Sequence, residues 1–115
     1  MRWIDNIVIV GKEWNRGLVV ERKAGNGRIY RKRLRNWYMT NPRTREMYGF
    51  TWGYRGTGPM CTAYSILCEL FGEVVAIDRA REFMEGYVST VPEDAEFRVT
   101  GDEICRMLSL RTARR

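Results

Sequence analysis

The chain has 115 residues and contains no histidine and no glutamine. Without histidine there is no imidazole base, no Ser-His or Cys-His nucleophile pair, and nothing to complete a mixed zinc site. The lack of glutamine fits a thermophilic source, where thermolabile amides are scarce. Cysteine is sparse: Cys61, Cys68 and Cys105 form no Cys-x-x-Cys pair, so buried thiols are expected rather than a metal site. No apolar run approaches the ~20 residues of a membrane helix, and Ile7-Val8-Ile9-Val10 is strand-sized. The apolar segment after Met-Arg-Trp-Ile-Asp-Asn is too short for a secretory leader. These absences predict a soluble, cytoplasmic protein with no catalytic residue, metal, cofactor or membrane partner.

What is present is an apolar fraction of 44% with 12% aromatics, the composition of a folded globular chain. One domain over residues 1–115 is expected, large enough to bury an ordinary core. The net charge of +6 is unevenly spread. Residues 1–56 hold 13 Lys and Arg against 4 Asp and Glu, a balance of +9; residues 57–115 hold 7 against 10, a balance of −3. Such asymmetry points to a polyanion or an acidic protein surface as partner.

The basic half reads as strands and turns. A strand is expected at residues 7–10, closed by Gly11, and another at residues 18–23. Ala-Gly-Asn-Gly at residues 24–27 supplies the positive φ angles of a hairpin turn. The return strand is expected over residues 28–35, with Ile29, Arg31, Arg33 and Arg35 on one face and Tyr30, Lys32 and Leu34 on the other. Residues 36–48 are the least regular, with Asn41-Pro42 marking a turn. Phe50, Trp52 and Tyr54 then alternate with Thr51, Gly53 and Arg55, which predicts a last strand with an aromatic face against the helices.

The second half reads as helices. Pro59 suits the first helical position, with Thr57 or Gly58 as cap. A helix is expected over residues 60–71, burying Ala63, Ile66, Leu67 and Leu70 and stopped by Gly72. A second spans residues 75–90, with Ile77, Ala80, Phe83, Met84, Tyr87 and Val88 inward. After a short extended piece at residues 97–99, Thr-Gly-Asp-Glu at 100–103 is a capping-box signature. It opens a third helix to about residue 110 that buries Ile104, Met107 and Leu108, and residues 111–115 are expected to fray. The expected fold is α+β: an N-terminal antiparallel sheet of three or four strands, packed on one face against three C-terminal helices.

Phe-Thr-Trp-Gly-Tyr-Arg-Gly-Thr-Gly-Pro at residues 50–59 resembles a signature of small prokaryotic and phage-borne domains of unknown function, Phe-Glu-Trp-Gly-Tyr-Gly-Gly-Ser-Gly-Pro. The helix after it, the aromatic-studded helix ending at Val91-Pro92, the capped last helix and Arg33-Leu34-Arg35-Asn36 upstream are also similar. The similarity covers roughly residues 33–110. Arg55 stands where glycine is usual, the helix starts with Met60-Cys61-Thr62, and the loop from Trp37 to Tyr48 is longer. The resemblance implies a shared fold and a prokaryotic or mobile-element setting, and it carries over no catalytic residue.

Three features bear on function. Gly56-Thr57-Gly58 follows a predicted strand and opens a helix, as an anion cradle does, with Arg55 beside it. It lacks the Lys-Ser/Thr of a P-loop, so tight packing and helix initiation are the plainer explanation. Arg31, Arg33 and Arg35, two apart on a strand, stand ~6.8 Å from one to the next, close to the spacing of phosphates along one nucleic-acid strand. Arg28, Lys32 and Arg55 support them; the plainer account is an edge strand that uses charge to deter unwanted pairing. Asp78, Glu82 and Glu85 lie on one helical face with Arg79 and Arg81 between them, which reads as a solvated surface.

The leading expectation is thus a small non-enzymatic protein whose basic sheet face binds DNA or RNA through phosphates. The alternative is a protein-binding accessory or inhibitor module of phage or viral type that blocks a host nucleic-acid-handling complex. Its paratope would be Trp37, Tyr38, Met39, Arg43, Arg45 and Tyr48, residue types enriched at binding hot spots. An uncharacterised enzyme is the third reading.

Overall fold

The computed structural model describes residues 3–38 and 49–110. A single 3₁₀ turn, Trp3–Asn6, leads into β1 (Ile7–Gly11). β2 (Val19–Lys23) and β3 (Ile29–Arg33) form the hairpin predicted around Asn26-Gly27. Gly27 takes a φ of 85°, Ala24 N–H donates to Arg28 C=O at 2.8 Å, and Arg28 N–H donates to Asn26 Oδ1 at 2.9 Å. Those bonds close the turn without help from the core.

The helices are α1 (Thr57–Phe71), α2 (Glu73–Gly86) and α3 (Gly101–Leu108), with β4 (Phe97–Thr100) directly before α3. All strand pairs are antiparallel, in the order β3-β2-β1-β4. The α+β architecture with a four-stranded sheet and three helices is as the sequence predicts. The fourth strand is not. It comes from the short extended piece at residues 97–100, which pairs with β1, whereas residues 50–55 form no strand.

The reason lies in where the backbone bonds of residues 50–55 go. Gly53 has a φ of 94°, outside the region a strand uses, and its N–H donates to Val88 C=O at 3.0 Å. Trp52 C=O accepts from the Trp14 indole N–H at 2.9 Å, and Phe50 C=O accepts from Asn15 N–H at 3.0 Å. The segment is satisfied by turns and side chains, so it has no ladder to offer a neighbouring strand. Its side chains still serve the core as expected at two of three positions. Phe50 and Trp52 are buried, but Tyr54 is half exposed against Trp14, with ring centroids 5.5 Å apart.

Trp52 is the largest fully buried side chain. Its indole N–H reaches both Pro92 and Ala95 C=O at 3.1 Å, and its ring lies 5.4 Å from that of Phe97. This one residue ties the irregular segment to β4 and to the loop before it. The core continues through Ile7, Ile9 and Val20 on the inner face of the sheet, and through Ile66, Leu67, Phe83 and Ile104 of the helices.

Helix boundaries differ from expectation in instructive ways. α1 starts at Thr57 with Gly56 as its N-cap, so Pro59 sits two residues inside the helix, still within the turn whose N–H groups lack helical acceptors. Gly72, with a φ of 94°, ends α1 as predicted and also begins α2 at Glu73. One residue between two helices brings them close, and α2 buries the small side chains Ala76 and Ala80 there. Ile77 instead turns outward and is 68% exposed. α2 stops at Gly86, and Val88–Thr90 forms a 3₁₀ turn rather than continued α-helix. The Thr100 capping box is present: its hydroxyl accepts from Glu103 N–H at 3.1 Å, and Glu103 accepts from Thr100 N–H at 2.8 Å. In α3, Cys105 is buried and Met107 is half exposed, reversing the expectation for Met107.

Candidate nucleic-acid interface

Antiparallel register sorts the strand residues onto two faces. Ile7, Ile9, Val20, Phe97 and Val99 face the helices and are buried. The opposite face carries rows set by pairing: Arg33, Val19, Val10 and Arg98 in one, Arg31, Glu21, Val8 and Thr100 in the next. Arg31 and Arg33 therefore share the outer face, as predicted. Arg35 does not join them on the strand, because β3 ends at Arg33. Its guanidinium instead stacks over the Trp37 ring, 4.3 Å from the centroid. The ladder of three becomes a pair plus a cation–π stack.

β3 is an edge strand, and all five of its residues are exposed. Residues 22–35 hold seven Lys and Arg and no Asp or Glu, so the hairpin is a dense cationic element. Two of the seven are neutralised across strands or layers. Arg31 Nε pairs with Glu21 at 2.9 Å on the outer face, and Lys32 Nζ pairs with Glu69 of α1 at 2.7 Å on the inner side. Arg22, Lys23, Arg28, Arg33 and Arg35 have no carboxylate partner among the described residues. Arg33 makes a long 3.5 Å contact to Arg16 C=O.

Arg98 is the cation that sequence reasoning missed. It lies on β4, the opposite edge, with the apolar Val10 and Val19 between it and Arg33. Three strand spacings put those two cations ~14 Å apart across the face. The signal was the alternation Phe97-Arg98-Val99, which reads as a strand only once β1 supplies a partner.

Arg55 belongs elsewhere. It is exposed beside the start of α1 and lines an open groove with Tyr38, Met60, Arg81 and Glu85. Lys32 meets α1 at Glu69, twelve residues beyond Thr57, or ~18 Å along the helix. Arg55 therefore lies apart from Lys32 and the β3 strand. The glycines next to Arg55 are held by packing: a side chain on Gly56 would meet the Tyr54 ring at 2.8 Å, and one on Gly58 the Tyr54 hydroxyl at 2.7 Å. The Thr62 hydroxyl donates to Thr51 C=O at 2.8 Å, fastening the segment before α1 to its second turn.

The segment after β3 is strapped to α1. Trp37 N–H donates to Ser65 Oγ at 3.0 Å, and Asn36 Oδ1 accepts from Tyr38 N–H at 3.0 Å and from the Cys61 thiol at 3.3 Å. Tyr38 packs edge-on against Tyr64, leaving Trp37, 41% exposed, as the open aromatic of this segment. Met39, Arg43, Arg45 and Tyr48 lie outside the described residues, as does the 111–115 tail. Burial pushes the Cys61 thiol up to about 11, which makes it a core group rather than a nucleophile at neutral pH.

On the acidic side, Arg79 grips Glu82 with two bonds of 2.9 and 3.1 Å and lowers the Glu82 carboxyl below its ordinary range. Arg81 approaches Glu85 at 3.8 Å. Glu82 and Glu85 are thus engaged with arginines on a wet face, as expected of a solvated surface. Among the described residues no group of three or more His, Cys, Asp or Glu is placed to hold a metal. None of their helices is long and apolar enough to cross a membrane.

The fold and this surface define a small α+β domain with a basic sheet edge and an outer sheet face partly overlain by residues 12–17. Residues 13–110 match the family of unknown function DUF6166, and the chain belongs to that family. No curated protein and no solved structure matches it.

Proposed function

We propose that the protein binds nucleic acid through the β2–β3 hairpin and the adjoining outer face of the sheet, chiefly by phosphate contacts. The observation that carries this reading is the concentration on one exposed hairpin of cations without a carboxylate partner among the described residues, Arg22, Lys23, Arg28, Arg33 and Arg35, beside Arg31 paired with Glu21. A cation used only to deter strand pairing needs one or two positions on an edge. Seven in fourteen residues, without an acid among them, exceed that need and suit a polyanion.

The test is fluorescence anisotropy of labelled DNA and RNA, titrated from low to high salt. Binding should weaken with a steep linear dependence of log K on log salt, each neutralised phosphate adding ~0.7–0.9 to the slope. Replacing Arg31, Arg33 and Arg35 by alanine should reduce that slope by ~2 and weaken binding to all sequences alike. A triple variant that binds as the parent does would sink the reading.

A second reading is favoured by one observation, the exposed Trp37 under Arg35. Trp and Arg side by side are hot-spot chemistry for a protein partner. It would place the protein among accessory or inhibitor modules, in the mobile-element setting that the signature suggests. No nucleic-acid binding at low salt, together with a partner lost on Trp37→Ala, would favour it.

A further inference from the structure

We infer that the cleft between β3 and α1 takes a single unstacked base, so that the nucleic acid bound by the hairpin is single-stranded. The inference rests on the nucleic-acid reading above and adds to it a place for the base.

The cleft has a volume of about 250 Å³. Its floor is apolar, formed by Ile7 and Val20 of the sheet and Leu70 of α1, all nearly fully buried. Tyr30 stands at its mouth, on the helix-facing side of an edge strand, yet remains 47% exposed. Its neighbour across the hairpin is Arg22, its direct partner in the antiparallel register. On the far side the Lys32–Glu69 ion pair spans from strand to helix at 2.7 Å. The result is a slot with an apolar base, an exposed aromatic wall and cations at its rim.

Each feature matches one part of a nucleotide. Sites that enclose whole small molecules run to roughly 300–1,000 Å³, so this slot suits one flat ring system rather than an entire nucleotide. Aromatic side chains stack on any base through its π-face, which gives affinity with little sequence preference. The sugar–phosphate chain, which cannot enter an apolar slot, then falls at the rim, where Arg22 is free of any carboxylate among the described residues. From there Arg31 and Arg33 continue along the strand on the other face. A duplex keeps its bases paired and stacked inside, so it can use the cations but not the slot. An acidic peptide would satisfy the cations too, but nothing in an acidic side chain calls for the apolar floor or the tyrosine.

The experiment compares a single-stranded oligonucleotide, a duplex of the same sequence, and a single strand carrying abasic sites, in one buffer, by anisotropy. Tyr30 is exposed, so Tyr30→Ala leaves the core intact. The parent should bind the single strand at least tenfold tighter than the duplex. Tyr30→Ala should lower single-strand affinity about tenfold, within the range of one lost base–aromatic stack. It should leave duplex and abasic binding within about twofold and the salt slope unchanged, because no phosphate contact is removed. Tyr30→Phe should restore the parent behaviour. Equal losses on all probes, or no loss, would overturn the base slot while the phosphate reading stands. No binding by any probe at low salt would overturn both.

Discussion

Two stretches of this chain carry the same alternating pattern and meet opposite fates. Residues 29–33 alternate as a strand, form one, and leave every side chain exposed. Residues 50–54 alternate at least as clearly, form no strand, and bury Phe50 and Trp52 in the core. Period-2 alternation reports that side chains point in opposite directions, which any extended chain satisfies. Whether it becomes a strand depends on what the backbone N–H and C=O groups meet. At β3 they meet β2, brought alongside by a local turn. At residues 50–54 they meet Trp14, Asn15 and Val88, and the place beside β1 goes to β4. Secondary structure and burial are separable, and here the irregular segment holds the fold while the edge strand of the regular hairpin stays exposed.

Substitutions can break or sharpen that contrast. The largest effect should come from Trp52→Ala, which empties the core site and abandons the Pro92 and Ala95 carbonyls, at about 3–5 kcal/mol. Chemical denaturation reads it directly; a loss under 1 kcal/mol would mean that Trp52 is not the anchor described.

Next comes Gly53→Ala. At a φ of 94°, its new methyl would meet Glu93 Cγ at 2.5 Å and Val91 C=O at 2.8 Å. The backbone carbonyl cannot move as a side chain can, so about 1–3 kcal/mol should be lost. By contrast Gly27→Ala, with a similar φ but open space around it, should cost less. An equal cost at both positions would show that the φ angle alone matters and that the fit against residues 91–93 does not.

A smaller effect appears with pH. The Cys61 thiol titrates at about 11 in the folded protein, against an ordinary value of 9.0, because burial disfavours the thiolate. As pH rises through 9.0 the unfolded chain releases this proton first, so the folded state loses stability until pH passes about 11. The component is on the order of 2 kcal/mol and is fully present below pH 9. Parent and Cys61→Ala should therefore diverge less at pH 11 than at pH 8 in denaturation midpoints. Parallel decline of the two would remove Cys61 as the cause.

The smallest effect on stability should follow the Arg31, Arg33 and Arg35 triple alanine substitution, within about 0.5 kcal/mol per site as for other surface positions. Its melting midpoint should stay within a few degrees of the parent's. A clear drop would mean that the hairpin cations support the fold, and the contrast between a free hairpin and a structural signature would fail.

The residues themselves show which inferences the sequence could support. Local chemistry was legible. The Asn26-Gly27 hairpin, the Gly72 stop and the Thr100–Glu103 capping box all form as read, since each is closed by bonds within a few residues. The basic hairpin was legible as charge, and the face shared by Arg31 and Arg33 followed from period 2. Trp52 was legible as core. Less legible was Arg35, because the end of β3 depends on how far β2 runs. Arg98 was hidden for the same reason: a four-residue strand earns its place only through a neighbour far away in sequence. Ile77 read as inward by periodicity, yet the tight turn at Gly72 favours alanine in the contact and rotates the larger side chain out.

By itself, the sequence determined the class of fold, the basic first half with its hairpin and the acidic second half with its three helices, and the turns and caps that punctuate them. Those follow from composition, from periodicity and from hydrogen bonds that span a few residues. Only the tertiary structure decided which segment became the fourth strand, which cations lie together, and that a slot opens between β3 and α1 beside Tyr30. These rest on pairings between residues dozens of positions apart, and such pairings are chosen by the competition of all segments for one place in the sheet.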